Sequence, residues 1–312
     1  MSDPTRRLVV VGSLNLDCVS EVREIPRPGE TVLALRTSRS LGGKGANQAV
    51  SAARHGAAVA MIGCVGDDGA ELVRSLAAEG VDTSSIHARA GHATGTAQVI
   101  VSADGANCIV VAAGANGELT PAGTRSALDG VGPHDVVLIQ LEIPLDAAAA
   151  AASAAAAAGA RVILNPAPAQ PLAPELAGAV DVLVPNLTEL VALTGGDACD
   201  ALAEASDRAR ALAGDGAIVV TLGEHGALVL DGGEETRVPA PHVAAIDTTA
   251  AGDAFCGSLA SELLRGRALL DAVRVAVQVG ALATTRRGAL SGLPRPAEIA
   301  AVVARSRDPL PR

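Results

Sequence analysis

Between Asp247 and Phe255 the chain reads Asp-Thr-Thr-Ala-Ala-Gly-Asp-Ala-Phe, small residues leading into apolar positions Phe255, Leu259 and Leu263. A spacing of four predicts a helix, and Asp253 falls at its N-cap or first turn. Backbone N–H groups from Ala251 to Asp253 would then lack intrahelical acceptors and carry a slight positive charge. Such an end can hold a phosphate, or the charge that develops on a phosphoryl group in transfer. A carboxylate at the same place can take a proton from a hydroxyl that attacks the group. The plainer reading makes Asp253 a helix cap, a common use of Asp.

A second stretch is Leu41-Gly-Gly-Lys-Gly-Ala-Asn47-Gln48. Gly42, Gly43 and Gly45 permit positive φ and close backbone approach, and an Ala-rich helix is predicted over Ala46–His55, stopping at Gly56. Gly45 follows Lys44 where a Walker A loop needs Ser or Thr, so this is not that motif. A tight strand-to-helix turn explains the glycines equally well. Asn47, just inside the helix, can both donate to and accept from a sugar hydroxyl.

These stretches need a frame. Leu8–Val11 is a short β-branched run that predicts a buried strand. Asn15 and Asp17 follow it, with Asp17 alternating in a second strand, Leu16–Val22. Turn residues Pro26, Pro28 and Gly29 precede another alternating segment, Glu30–Arg36. Thr94–Val101 and Asn107–Val111 predict a hairpin around Asp104-Gly105. Together these pieces suggest a small sheet set off from the main body. Elsewhere strand and helix alternate. Strands are expected at 58–65, 135–141, 161–164, 181–184 and 217–221. Helices are expected to about 78, over the alanine run 147–158, at the 253 segment and over 269–285. A further hairpin joins 227–230 to 235–239. This is a βαβ series, hence a doubly wound, mostly parallel α/β sheet covered on both faces. Polar residues recur where strands exit: Asp17, Glu142, Asn165, Asn186, Glu189, Thr221 and Asp253. Each alone is a plausible cap or turn residue, but a shared edge of the sheet is where such folds bind ligands.

Composition narrows the partners. The 312 residues include no Trp or Tyr and one Phe, so no aromatic platform for stacking bases exists. A net charge of −10 repels a nucleic-acid backbone. Cys18, Cys64, Cys108, Cys199 and Cys256 are scattered and odd in number, which fits a reducing compartment and neither a disulfide framework nor zinc. Cys256 reads as a small core residue. No histidine pairing of metal-site type occurs, and no apolar run approaches a membrane span or a leader, so a cytoplasmic protein is expected.

With these residues in order, the chain resembles the PfkB/ribokinase family of carbohydrate kinases nearly end to end. Residues 42–49 look like the family's N-terminal signature and 247–255 like its C-terminal one. Gln140-Leu-Glu142, Asn165-Pro-Ala-Pro168, Pro185-Asn186-Leu-Thr-Glu189 and Thr221-Leu-Gly223 lie between them in the family's order. The resemblance implies phosphorylation of a sugar hydroxyl by ATP, with Asp253 as base and Ala250, Ala251 and Gly252 supplying the anion hole. Asn15, Asp17, Gly42, Gly43, Lys44, Asn47 and Glu142 would join Asp253 around the sugar. Asn186, Thr221, Leu222, Gly223, Gly226 and Gly252 would line the nucleotide. Asn186 and Glu189 would organise Mg²⁺. A K⁺ site would draw on Asp247, Thr249, Ala283, Arg286, Gly288 and Gly292. The resemblance implies a core at 1–13, 39–92 and 114–312 and a lid at 14–38 and 93–113. Leu14, Leu16 and Val32 are candidates for the lid's apolar face, which would pair in a homodimer. The acceptor could be ribose, deoxyribose, a nucleoside or a sugar acid. A non-catalytic sugar binder on the same fold is the third reading.

Overall fold

The computed structural model describes residues 6–104, 106–195, 202–212 and 214–306, so the expected turn residue Gly105 and Cys199 lie outside the described residues. The chain opens with β1 (Leu8–Val11), then β2 (Asn15–Val22), β3 (Arg36–Gly42), α1 (Lys44–Arg54), β4 (Val59–Val65), α2 (Ala70–Ala78) and β5 (Asp82–Ala88). The hairpin β6 (Thr96–Ser102) and β7 (Asn107–Ala112) follows, with α3 (Pro121–Ala127) and β8 (Val136–Gln140) after it. Next come α4 (Leu145–Ala157), β9 (Arg161–Asn165), α5 (Pro174–Ala177), β10 (Val182–Leu183), α6 (Leu187–Thr194) and α7 (Leu202–Leu212). The last third holds β11 (Ala217–Thr221), β12 (Ala227–Asp231), β13 (Glu234–Val238), α8 (Ala251–Leu264), α9 (Leu269–Ala283) and α10 (Pro296–Arg305).

Nine strands form one sheet in the order β13-β12-β11-β10-β9-β8-β1-β4-β5. From β11 through β5 every pairing is parallel, and only the β11–β12–β13 edge runs antiparallel. Strand β1 explains the layering. Leu8 and Val10 pack with residues of α1, α2, α8, α9 and α10, while Val9 and Val11 pack with α3, α4 and α5 on the other face. A strand buried on both faces has no polar side, which is why its sequence is an unbroken apolar run. Connections leave β1 toward β4 and leave β8 toward β9, in opposite directions along the sheet. The crevice beyond the exits of β1 and β8 is therefore the switch point where α/β sheets bind ligands. No described helix is long and apolar enough to cross a membrane.

A separate four-stranded sheet has the order β3-β2-β6-β7. Two sequence expectations change here. Residues 30–35 are not a strand. The strand begins at Arg36 and runs to Gly42, beyond the residue-38 limit expected for the lid. Its sequence, Arg-Thr-Ser-Arg-Ser-Leu-Gly, shows little apolar alternation because it is an exposed edge strand. Its antiparallel pairing with β2 begins at the Arg36–Glu21 ion pair, 2.7 Å long. Leu14 also fails as a lid-face residue: it is fully buried in the main core, under α1 and beside Gly63. Leu16 is half-buried against that core, and Val32 is 40% exposed in a loop. The exposed apolar surface of this sheet is instead β7, where Ile109, Val110 and Val111 are 54%, 63% and 50% exposed.

Candidate active site

Helix α8 begins after Ala250, whose φ of 58° makes it the one non-glycine residue in the left-handed region among the described residues. Such a conformation costs about 1–3 kcal/mol for a residue with a Cβ and persists where the surroundings impose it. Asp253 is therefore in the first turn and does not cap the helix. It is 7% exposed, and its carboxylate accepts Nδ2–H of Asn47 on Oδ2 (2.9 Å) and Nε2–H of Gln48 on Oδ1 (3.0 Å). The amides of Ala250, Gly252 and Asp253 have no acceptor among the described residues. That of Ala251 donates to the Thr248 carbonyl at 3.2 Å, so the expected open row from 251 to 253 is interrupted at its first member.

Helix α1 reaches this point through Gly43, at φ 93°. A Cβ there would lie 2.8 Å from Asn15 N and 2.9 Å from Ser13 O, so only glycine lets the helix start sit on the β1 exit. The same approach gathers the acids. Glu142, just beyond β8, accepts the Ser13 hydroxyl (2.5 Å) and the Lys44 amide (3.2 Å). Asp17 lies against Gly42, where a Cβ would come within 2.1 Å of Oδ2. Its Oδ1 is buried without a partner. Burial, then the Glu142 and Asp253 charges, push the Asp17 carboxyl up to about 6. Lys44 faces Asp253, Glu142 and Glu189; burial alone would lower its ammonium, but the three carboxylates prevail and hold it above its usual value. Of the residues expected together from sequence, Asn47 is hydrogen-bonded to Asp253, and Asp17 lies within reach of the Glu142 and Asp253 charges. Asn15 is 2% exposed, and its amide oxygen accepts Asn116 Nδ2–H at 2.8 Å; Asn116 also grips the Leu14 backbone. Its side chain braces the small sheet's root. Ser13, Gln48 and Asn116 were not singled out as site residues. The sequence signal for Gln48 was its place beside Asn47 in the glycine stretch; Ser13 and Asn116 offered none.

At the β10 and β11 exits the capping explanation holds for two predicted residues. Asn186 Oδ1 accepts the Glu189 amide (2.7 Å) and Glu189 Oε2 accepts the Asn186 amide (2.9 Å), a capping box that opens α6. Burial raises the Glu189 carboxyl, against the pull of the Asn186 amide and Lys44. Thr221 bridges to Asn186 across adjacent strands and donates its amide to Pro185 O at 2.9 Å. Leu222, 7% exposed, closes the turn through its amide to Gly226 O (2.8 Å), which leaves Gly223 at the tip. Gly226 sits 1.9 Å, measured from a notional Cβ, from Val238 O, so packing against β13 already requires glycine there.

The third cluster centres on Asp247. Its Oδ1 takes the Thr249 amide (2.9 Å) and hydroxyl (2.6 Å), and Oδ2 takes the Gly288 amide (2.8 Å). Burial raises this carboxyl, but the three donors outweigh it and hold it below its usual range. Gly292 abuts the Gly288 and Arg286 carbonyls, with notional Cβ distances of 2.2 and 3.5 Å, and the Arg286 amide donates to Ala283 O at 3.4 Å. Carbonyl and carboxylate oxygens, the donor atoms near this loop, are of the type that hard cations take. No group of three or more His, Cys, Asp or Glu among the described residues could hold a metal alone.

A buried carboxylate at a helix start, with unpaired amides beside it, offers the kind of groups that phosphoryl transfer to an alcohol uses. The pfkB family carbohydrate kinase model matches residues 5–296. Ribokinase of Haemophilus influenzae is 39% identical over 294 residues, covering 93% of this chain and 95% of that one. Deoxyribokinase of Salmonella typhi is 36% identical, covering 92% and 95%. Among solved structures, ribokinase of Thermotoga maritima superposes with a TM-score of 0.84 at 32% identity, covering 96% and 99%. Arabidopsis thaliana ribokinase, solved with ribose and ATP, does so at 0.84 and 29%, covering 97% and 99%. The chain belongs to the pfkB family of carbohydrate kinases, phosphotransferases with an alcohol group as acceptor.

Proposed function

We propose that this protein is an ATP-dependent ribokinase, converting D-ribose and ATP to D-ribose 5-phosphate and ADP. The observation that carries the reading is the Asp253 carboxylate, held by the side-chain amides of Asn47 and Gln48 at the unpaired start of α8, with the Asp17 carboxyl near enough to feel both its charge and that of Glu142. Asp253 takes the proton of the attacking hydroxyl, and the amides of Ala250, Gly252 and Asp253 meet the transferring phosphoryl group. Positioning and charge stabilisation supply most of the barrier reduction in such transfers. Asp17, Glu142 and Asn47, whose Oδ1 is buried and unpartnered, are the hydrogen-bonding groups for the sugar. Thr221 to Gly226 and Asn186 border the nucleotide. Glu189 and Asn186 would hold Mg²⁺, which when bound neutralises phosphate charge. Asp247, Thr249, Ala283, Arg286, Gly288 and Gly292 would hold K⁺ beside the anion hole. The small sheet serves as a lid that excludes water, and the free cysteines fit a cytoplasmic setting. Deoxyribose is the second reading, because a deoxyribokinase is nearly as similar as the ribokinases.

The test is ADP release with purified protein and a panel of pentoses, deoxyribose, nucleosides and sugar acids, in K⁺ and in Na⁺. Ribose should give the highest kcat/KM, and K⁺ should raise turnover above Na⁺. A flat cation response would remove the K⁺ site; preference for deoxyribose would favour the second reading.

The reading extends to a homodimer through the small sheets. Strand β7 is an edge with three consecutive exposed β-branched residues, a surface that a lone sheet of this size leaves uncovered. Light scattering at micromolar concentration should report a dimer, and Val110→Lys should shift it toward monomer. A monomeric parent protein would count against this arrangement.

A further inference from the structure

Gln48 is fully buried on α1, and its side chain makes three hydrogen bonds, using both Nε2 hydrogens and its oxygen. Nε2 donates to Asp253 Oδ1 (3.0 Å) and Asn165 Oδ1 (3.1 Å), and Oε1 accepts Gln140 Nε2 (2.7 Å). One atom sets the direction of the chain. The Val184 carbonyl can only accept, so Asn165 must present Nδ2 to it (2.9 Å) and turn its oxygen to Gln48. Gln48 must then turn its NH₂ toward Asn165 and Asp253, and its oxygen toward Gln140. Turning this fully buried amide over would break all three bonds, so the donor faces the carboxylate.

We propose that Gln48 is the positioning residue for Asp253, holding one carboxylate oxygen through a chain of amides anchored at the β10 exit. This rests on the kinase reading for its functional meaning. Asn47 sits beside it and holds the other oxygen, so two directed donors leave the carboxylate one orientation. The plainer alternative is that these amides merely tie α1 to α8. Ser51 distinguishes the two: its hydroxyl also joins α1 to α8, donating to Ala254 O at 3.1 Å, yet it does not touch Asp253.

The experiment compares Gln48→Met with Ser51→Ala. Gln48→Met should lower kcat about 10–100-fold, the scale of an ångström-level misplacement, with sugar Kd by calorimetry within about threefold. Loss of a donor to the ionised form should move the acid limb of kcat up by on the order of one pH unit. The groups facing Asp253 stay unchanged: Lys44 on α1, Glu189 on α6, Glu142 beyond β8, Asp17 on β2 and Cys256 on α8. Ser51→Ala should leave both quantities at the parent level. Carboxyl ¹³C titration of Asp253, assigned by its loss in Asp253→Asn, should shift upward in Gln48→Met without any substrate present. That readout stands apart from the kinase reading, which an inactive parent would sink. If Gln48→Met does not fold, Gln140→Leu removes only the brace on the amide and should shift the titration in the same direction by less. An unshifted titration in the folded variant, or an equal loss in Ser51→Ala, overturns the proposal.

Discussion

Asp253→Asn should reduce kcat by on the order of 10²–10⁴, the range for loss of a general base, with sugar affinity nearly intact. The local geometry allows the variant to fold. An amide at position 253 faces two donors, Asn47 Nδ2 and Gln48 Nε2. Gln48 cannot turn over, but Asn47 can, because its Oδ1 is buried with no partner to lose. The substituted amide can therefore offer its oxygen to Gln48 and its NH₂ to Asn47. The sugar then meets an altered but still polar neighbour, and affinity changes by a few-fold. Steady-state turnover and calorimetry on the same preparation separate the two effects. Turnover within threefold of the parent would remove Asp253 from the role of base.

The second large effect lies about ten residues further along α8 and concerns stability. Glu262 is fully buried, with Oε1 bound to His55 Nε2 (2.8 Å) and Arg265 Nη1 (2.6 Å), and Arg267 Nε 2.5 Å from Oε2. His55 Nδ1 meets the Ser258 hydroxyl at 3.2 Å. Glu262→Ala leaves a buried imidazole and two guanidinium groups facing a void, and should cost about 3–5 kcal/mol by denaturant unfolding, as for a broken buried pair. The pH dependence has the same origin. Burial works to raise the Glu262 carboxyl, but its bond with His55 and the two arginines bring it down to about 2 from 4.5. Its contribution, about 3 kcal/mol at the usual conversion, is complete above pH 4.5 and lost as pH falls toward 2. Burial lowers His55, against its bond to Glu262, so the folded state takes up this proton less readily than the unfolded chain. The unfolded chain protonates it first, so stability begins to fall below about pH 6.5. Both groups destabilise the protein toward acid, and the lower window should vanish in Glu262→Ala. A variant within 1 kcal/mol of the parent at pH 7 would show that the cluster contributes little.

What could be read before any coordinates follows from local rules. The unbroken Leu8–Val11 run announced a buried strand, and the regular alternation after residue 135 announced a parallel sheet. The apolar spacing after Gly252 announced the helix whose first turn holds Asp253. Asp17, Glu142 and Asp253 stand out because polar residues at strand exits in such a fold face one crevice, and Asn47 because it is an amide at the start of the helix after the glycines.

Other features depended on partners distant in the chain. Strand β3 hid in a polar sequence because its only requirement is pairing with β2. Leu14 looked like a lid residue until the core closed over it beside Gly63. Asn186 and Glu189 cap each other, and Asn15 braces Asn116, 101 positions away. Gln48 was one more polar residue in a glycine-rich stretch. Its meaning required Asn165, Gln140 and Asp253, at separations of 117, 92 and 205 positions. Helix periodicity and strand alternation are properties of neighbours, so the sequence alone determined most of the elements and the polar residues at their ends. Hydrogen-bond direction and burial belong to atoms that meet only after the sheet is assembled, so tertiary structure alone decided how the Asp253 carboxylate is held.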